Sequence, residues 1–242
     1  MRLHSLRALP LVLTVALLAA CSPSPEGEPP ADGAAAARAA ADAQANRELA
    51  MYRSLLAQHK DEFAAPIGQE IVAKYPHTPA AAEVRKTLAD TSATAKAGSE
   101  QRRLKRLWSY QSGTESGGRQ NTASIYSSEP RSTARRVRLI LRRHSDWGQS
   151  VYLFGSGAGF DCAKPCTVAV HFDDAPAQRF KAYLPPTGEP AIFIEDDRRF
   201  IGELGKAGRI ALDVTLKDNG RQTVVFEVGG YDPAKFPELK KN

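Results

Sequence analysis

The stretch Arg136-Val137-Arg138-Leu139-Ile140-Leu141-Arg142 decides how the second half of this chain folds. Apolar side chains at odd-numbered positions alternate with arginines at even-numbered positions, and only Ile140 interrupts the row of arginines. A period of two places the two sets on opposite faces of a β-strand. Residues 144–149 then form a hairpin-like connection to a second apolar run, residues 151–154. We therefore predict an antiparallel hairpin that buries the odd-numbered residues of the quoted stretch, and we expect Phe154 to lie in the core.

Further short strands are predicted downstream of this hairpin. They are residues 167–172, 178–184, 191–195, 209–216 and 222–228. Asp218-Asn219-Gly220 is a strong hairpin signal between the last two. Residues 196–207 interrupt the series, because their apolar residues recur at helical spacing before Gly208. Residues 108–232 are therefore predicted to form an antiparallel β-sandwich or partly open barrel of seven to nine strands with one inserted short helix.

Residues 34–107 are rich in Ala, Arg, Gln and Leu, which favour helices. The apolar residues from Leu49 to Phe63 recur at three-, four- and seven-residue steps and predict one face of a helix that is broken by Pro66. A second helix is predicted to stop at Pro76. Thr78-Pro79 predicts an N-cap followed by proline at the first position of a third helix. The predicted fold class is α+β, a helical segment followed by the β domain.

The N-terminus has the pattern of a secretory signal. A basic start is followed by a short apolar run, which is too short for a permanent membrane span, and the run ends in Leu18-Ala19-Ala20-Cys21. This ending resembles the lipobox of bacterial lipoproteins. The resemblance implies that residues 1–20 are removed and that Cys21 carries diacylglycerol and an N-acyl chain such as palmitate. The alternative is an ordinary secretory signal with a chance cysteine.

The residues that follow Cys21 predict how the protein is displayed. Residues 21–33 are rich in Pro, Glu and Gly and predict a disordered tether. Ser22 directly after Cys21 is similar to lipoproteins that are sent to the outer membrane. We therefore expect a protein held by its lipid in the outer membrane and facing the periplasm, with residues 233–242 as a C-terminal tail.

Cys162 and Cys166 remain as a pair once Cys21 is assigned to the lipid. An even pair in an oxidising compartment predicts a disulfide that closes a small loop. A redox pair or a zinc site is the alternative. Redox pairs have two intervening residues rather than three, and zinc requires two further ligands.

Positive charge is concentrated between residues 101 and 150, although the whole chain carries only +6. Eleven basic residues in this segment are opposed by Glu115, Glu129 and Asp146. One interpretation is a solvated basic face. The other is a surface that attracts anionic headgroups, lipopolysaccharide, peptidoglycan carboxylates or an acidic partner. The candidate binding residues are Arg136, Arg138 and Arg142, which share one strand face, and Trp147 in the predicted turn.

The sequence predicts no catalytic residue, metal ligand or small-molecule cofactor, and nucleic acid is not an expected partner outside the cytoplasm. The acidic residues at 173–174 and 196–197 permit a paired-carboxylate or Ca²⁺ site. The alternative is that these residues close turns and cap a helix. No Gly-x-Ser-x-Gly elbow is present in the sequence.

The motif Phe160-x-Cys162-x3-Cys166-x-Val168-x-Val170-x-Phe172-Asp173-Asp174 resembles the core of the VasI/TagO family of type VI secretion accessory proteins. The downstream motifs Phe193-Ile194-x-Asp196, Arg199-Phe200-Ile201 and Phe226-x-Val228-Gly229 fall in the order of that family, and Trp108 matches its opening tryptophan. The resemblance implies an envelope accessory component without catalytic residues. The lipobox and the helical segment depart from the family pattern.

Together these features predict a membrane-anchored envelope lipoprotein that is not an enzyme and acts as a binding or accessory module, linked to a secretion system. Its expected partners are the membrane, through the lipid on Cys21, and an envelope protein or peptidoglycan. One alternative is a periplasmic immunity lipoprotein that inhibits a wall-degrading toxin. Another is an envelope hydrolase that uses an acidic pair.

Overall fold

A computed structural model describes residues 31–130, 136–155 and 157–239. The predicted signal, Cys21 and residues 21–30 of the tether lie outside these ranges, as do Arg131 and Arg135 of the basic segment. Among the described helices, none combines the length and the hydrophobicity that crossing a bilayer requires.

The helical segment contains four helices around its own apolar core. They are α1 (Ala31–Ala57), α2 (Asp61–Lys74), α3 (Pro79–Val84) and α4 (Leu88–Leu107). Ile71 and Val84 are fully buried in this core. The Tyr52 hydroxyl, also buried, lies 2.8 Å from Thr87 Oγ1 and 3.1 Å from Thr91 Oγ1. These hydrogen bonds tie the C-terminal part of α1 to the start of α4.

The structure corrects two predicted boundaries of these helices. Helix α1 begins at Ala31, so three residues assigned to the tether are helical; Asp32 lies in the first turn, where a negative charge favours the helix dipole. The first helix is not broken by Pro66, which lies inside α2. The break is at residues 58–60, where the amides of His59 and Lys60 donate to the carbonyls of Leu56 and Leu55.

This earlier break also changes the predicted apolar face. The predicted face joins Phe63 to Leu49, but the turn changes the helical phase, and Phe63 is exposed. The predicted cap of the third helix is confirmed, because Thr78 Oγ1 accepts a hydrogen bond from the Ala81 amide at 3.2 Å.

The β domain contains ten strands within the described residues. They are β1 (Ser109–Glu115), β2 (Gly118–Tyr126), β3 (Arg138–His144), β4 (Gly148–Phe154), β5 (Phe160–Asp161), β6 (Thr167–Phe172), β7 (Gln178–Tyr183), β8 (Ala191–Ile194), β9 (Ile210–Leu216) and β10 (Gly220–Phe226), with helix α5 (Asp197–Leu204) before β9. All pairings are antiparallel in the order β1-β2-β3-β4-β8-β7-β6-β9-β10, and β5 pairs with β9.

The sheet bends around one apolar core without closing into a barrel. A single bridge between Glu129 and Val225 links the segment after β2 to β10. Helix α5 buries Phe200 against Phe172 and Phe180, at ring-centre distances of 5.9 and 5.6 Å. The predicted α+β class, with a partly open β domain and one inserted helix, is confirmed.

The hairpin quoted from the sequence forms as predicted. Val137, Leu139 and Leu141 have no exposed surface, and β3 pairs with β4 in the register Leu139 to Leu153. The Asp218-Asn219-Gly220 turn connects β9 and β10, with Gly220 at a φ of +68°. The expectation for Phe154 is wrong: it ends β4 on the outer face and is 39% exposed.

The structure also contains elements that the sequence analysis did not identify. Strands β1 and β2 carry mostly polar residues and lack the apolar alternation used to predict strands. The residues after 232 are not merely a tail, because a 3₁₀ turn at Pro233–Lys235 leads to Phe236, which is buried in the core of the β domain. The Asn121 side chain donates to the Pro237 carbonyl at 3.0 Å and ties this segment to β2.

Helix α4 packs directly on the β domain. Arg103 pairs with Glu227 at 2.5 Å, and the Trp108 indole donates to the Val228 carbonyl at 3.3 Å. A Cβ atom added to Gly230 would lie 2.2 Å from the Leu104 carbonyl carbon. Only glycine therefore permits this close approach of the two backbones.

Candidate binding surface

The outer face of the sheet carries the arginines that the sequence singles out. Arg138 and Arg142 alternate with the buried residues of β3 and lie on the opposite face, as predicted. We call the surface around them the aromatic–arginine face, defined by Tyr126, Arg136, Arg138, Arg142, Trp147, Tyr152, Phe154, Tyr183 and Phe193. Strand pairing brings residues from β2, β3, β4, β8 and β7 together on this face.

Three aromatic rings form a row across β4, β8 and β7. Tyr152 faces Phe193 in the β4–β8 register, and Phe193 faces Tyr183 in the β8–β7 register. The ring centres lie 4.7 Å apart in the first pair and 5.2 Å apart in the second, with interplanar angles of 23° and 17°. Cross-strand pairing thus turns three residues distant in sequence into one stack.

Arg142 extends this row to the predicted turn. Its guanidinium carbon lies 5.1 Å from the Trp147 ring centre and 5.5 Å from the Tyr152 ring centre. Its Nε donates to Ser150 Oγ at 3.2 Å. The guanidinium is therefore positioned by two rings and one hydrogen bond, and cation–π contact stabilises its charge.

Arg136 and Arg138 are placed around a second aromatic residue, Tyr126. Their guanidinium carbons lie 5.7 and 5.6 Å from the Tyr126 ring centre. Arg138 also donates to Ser124 Oγ at 2.7 Å. Arg136 precedes β3 and lines a groove of about 620 Å³. The groove lies between the end of α4 and the bridge that links the segment after β2 to β10.

The turn that carries Trp147 is held by a buried histidine. His144 Nδ1 lies 3.2 Å from the Asp146 amide, which donates to it, and Nε2 lies 3.0 Å from the Glu115 carbonyl. The Trp147 ring stacks on the imidazole at 3.8 Å between centres. A Cβ atom on Gly118 would lie 2.2 Å from the imidazole, so glycine is required beneath this ring.

The face is both exposed and positively charged. Half of the eight large apolar side chains that are exposed in the described residues belong to it, namely Tyr126, Trp147, Phe154 and Tyr183. Within the described ranges, no carboxylate forms an ion pair with Arg136, Arg138 or Arg142. Burial raises the pKa of the Tyr152 phenol, although nearby Arg142 acts in the opposite direction. The site therefore keeps this tyrosine neutral.

The other sites singled out from the sequence lie away from this face or have structural contacts. The Cys162 and Cys166 sulfurs are at bonding distance, 2.08 Å, in agreement with the predicted disulfide. Asp173 accepts hydrogen bonds from the Gly208 and Arg209 amides at 3.0 and 2.8 Å, and Asp196 caps α5 through the Arg199 amide. These two carboxylates close a turn and cap a helix. In the chain as described, no group of His, Cys, Asp or Glu has metal-binding geometry.

Of the candidate binding residues, the structure brings Arg142 and Trp147 into contact and places Arg136 and Arg138 together around Tyr126. Sequence reasoning missed Tyr126, Tyr183 and Phe193. Alternation along each strand could have placed these residues on the outer face. The pairing order β4-β8-β7 that aligns them cannot be predicted from local sequence. Trp147, the candidate in the predicted turn, is half exposed.

No family model matches the chain, and no curated protein matches it. Among solved structures, it is similar to the crystal structure of invasion associated protein B from Bartonella henselae, with 18% sequence identity and a TM-score of 0.37. The likeness covers 53% of this chain and 87% of that chain. At this distance it assigns neither a family nor a function.

Proposed function

We propose that this chain is a non-enzymatic binding module of the bacterial envelope, anchored by a lipid on Cys21 and holding its partner on the aromatic–arginine face. The observation that carries the proposal is the exposed cluster of rings and arginines on one sheet face. Trp, Tyr and Arg are the residues enriched at the energetic centres of protein interfaces. Their concentration on a solvent-exposed face favours recognition.

The contacts within the face support the idea that its arginines are ordered before a partner binds. Two rings hold Arg142, and Tyr126 holds Arg136 and Arg138, so their guanidinium groups are already positioned. A side chain that is ordered before binding loses less conformational entropy when the partner arrives. The face therefore requires little rearrangement to bind.

The helical segment suits the role of a spacer between anchor and face. Helix α1 has 27 residues and spans roughly 40 Å at about 1.5 Å per residue. The contacts of α4 with residues 227–230 connect this segment to the β domain. With a lipid on Cys21, the β domain would be held away from the membrane surface.

A more specific version of this proposal is that the module is an accessory component of a type VI secretion system. It rests on the motif around Cys162 and Cys166, which resembles the VasI/TagO core. Deletion of the gene in its own host should reduce secretion through that system. Complementation by the wild-type chain should restore it. Unchanged secretion in the deletion strain would remove the secretion link and leave the binding module.

Anchoring is tested by replacing the predicted lipidation site. Cys21→Ala should abolish incorporation of labelled palmitate and move the protein out of the detergent phase, because the proposed acyl chains are attached to this residue. The control is Ser22→Ala, which keeps the cysteine and should stay lipidated. Palmitate incorporation in Cys21→Ala would contradict the lipid anchor.

Binding by the face is tested separately from anchoring, with the unlipidated Cys21→Ala protein and envelopes isolated from the native host. Co-sedimentation should be strong for this protein and weak when Arg138→Ala and Arg142→Ala are added. The matched control adds Lys217→Ala and Arg221→Ala, two exposed cations at the β9–β10 hairpin. Equal co-sedimentation of the three proteins, or none, would contradict binding through this face.

A further inference from the structure

We infer that the occupant of the aromatic–arginine face is an extended acidic polypeptide segment with two carboxylates four residues apart and an apolar side chain between them. This inference rests on the proposed binding function and adds the chemistry of the partner. It follows from the orientation of the rings, the uncompensated charge and the spacing of two arginines.

The central ring of the row presents its edge rather than its faces. Phe193 is stacked between Tyr152 on one side and Tyr183 on the other, so both of its faces are covered. Side chains stand roughly perpendicular to a sheet, and ring edges carry the positive end of the aromatic quadrupole. The hydroxyls of Tyr152 and Tyr183 have no hydrogen-bond partner in the part of the chain that the structure describes. The row therefore offers donors and positive edges, which suit carboxylates better than a flat ring stacked from above.

The arginines supply the main anionic contacts. Arg138 and Arg142 each use a side-chain N–H on a serine, at Ser124 and Ser150, and retain other donors. Strands β2, β3 and β4 contain no Asp or Glu. The Glu115 carboxylate of β1 acts electrostatically on Tyr152 but, within the described residues, forms no ion pair with either arginine. A planar guanidinium matches a carboxylate with two parallel hydrogen bonds. The charge of the face is thus complementary to an acidic partner.

The spacing along β3 specifies the form of that partner. Arg138 and Arg142 lie four residues apart, which places their Cα atoms roughly 13 Å apart along the strand. An extended peptide running along β3 has the same rise, so its carboxylates at positions i and i+4 would meet the two arginines. Ile140 lies midway on the same face and is 9% exposed, so its small accessible surface is the apolar group between the two cations. The side chain at i+2 of the peptide would contact it.

An apolar residue between two cations at a fixed spacing favours a polypeptide over a lipid surface. Headgroups in a fluid bilayer have no fixed spacing and place no apolar side chain between two anions. Peptidoglycan also offers carboxylates and is the second alternative ligand. Both remain alternative ligands whose binding would overturn the inferred partner.

The test uses the unlipidated Cys21→Ala protein and labelled seven-residue peptides. The first peptide is Thr-Glu-Thr-Leu-Thr-Glu-Thr, and the second has the same composition with its two glutamates adjacent. The first should bind about tenfold more tightly than the second, a difference of about 1.4 kcal/mol. Binding of the first should weaken between roughly 50 and 300 mM NaCl, because exposed ion pairs are screened.

Charge reversal gives a readout that misfolding cannot produce. With Arg138→Glu and Arg142→Glu added, the protein should lose the first peptide and gain affinity for Thr-Lys-Thr-Leu-Thr-Lys-Thr. The matched control, Lys217→Glu with Arg221→Glu, has the same net charge and should bind as the parent does. Equal binding of the two glutamate peptides, or no reversal of preference, would overturn the acidic-segment inference.

Two further probes separate failure of this inference from failure of the proposed function. They are vesicles of phosphatidylglycerol and phosphatidylethanolamine, and purified peptidoglycan. Binding of either probe that is lost with Arg138→Glu and Arg142→Glu, without peptide binding, overturns the acidic segment and leaves the binding module. If neither the peptides, the two probes nor native envelopes bind in a way that depends on the face, both proposals fail.

Discussion

The two faces of β3 share one backbone but differ in what their side chains contact. On the inner face, Val137, Leu139 and Leu141 are fully buried in the core of the β domain. On the outer face, Arg138 and Arg142 contact aromatic rings and serine hydroxyls at a surface open to solvent. This difference assigns folding to one face and the proposed recognition to the other, so the two can be tested by substitutions at adjacent residues.

The largest expected effect comes from the inner face. Leu139→Ala should lower the free energy of unfolding by about 2–5 kcal/mol, because it removes a buried side chain and leaves a cavity. Arg138→Ala, one residue away, should change it by only about 1 kcal/mol or less. Urea unfolding of both variants measures the two values. Equal losses would show that the outer face also belongs to the stabilising core.

A smaller loss of stability is expected from a substitution at Gly118, which lies against the His144 ring that stacks on Trp147. Gly118→Ala places a methyl group against the His144 ring and should cost about 1–3 kcal/mol, as overpacking does. The displaced imidazole should also change the environment of Trp147, which stacks on it. Tryptophan fluorescence reports that change, with a Trp147→Phe background as the control for Trp108. An unchanged spectrum in Gly118→Ala would contradict the role of His144 in holding the turn.

A pH effect should appear on the core side, in the cluster of Trp108, Tyr110 and Tyr231. Burial raises the pKa of Tyr231 to about 12, from an ordinary value near 10. The folded state therefore holds this proton more tightly than the unfolded state. Its stabilising contribution is complete below about pH 10 and is lost as the pH rises towards about 12.

The corresponding experiment compares urea unfolding across this range for the wild type and Tyr231→Phe. The variant should lose less stability between about pH 10 and 12, because it has no phenol to ionise at this position. The aromatic contact with Trp108, at 5.1 Å, is retained by phenylalanine. Parallel pH profiles for the two proteins would show that Tyr231 does not titrate in this way.

Local sequence was sufficient for features determined by neighbouring residues. The alternation at 136–142, the cap at Thr78 and the hairpin at Asp218-Asn219-Gly220 all depend on residues within a few positions of one another. The boundary at Pro66 was wrong, because burial of Ala64 and Ile71 on the core face retains the helix although proline removes one hydrogen bond.

The composition of the site required information that local sequence does not contain. Phe193 and Tyr183 join Tyr152 only because β8 inserts between β4 and β7. The burial of Phe236 likewise depends on long-range packing, since its neighbours Pro233 and Pro237 have the composition of a tail. The arginines could be proposed as binding residues from strand alternation, and Trp147 from its position in a turn. The row of three rings could not be proposed in this way.

We propose that the outer face of the β3–β4 hairpin binds the partner, whereas its inner face stabilises the fold. The most direct test measures envelope co-sedimentation and the free energy of unfolding on the same preparation of the unlipidated protein carrying Arg138→Glu and Arg142→Glu. Co-sedimentation should be lost while the free energy of unfolding stays within about 1 kcal/mol of the parent protein. Retained co-sedimentation, or a loss of stability as large as that expected for Leu139→Ala, would contradict it.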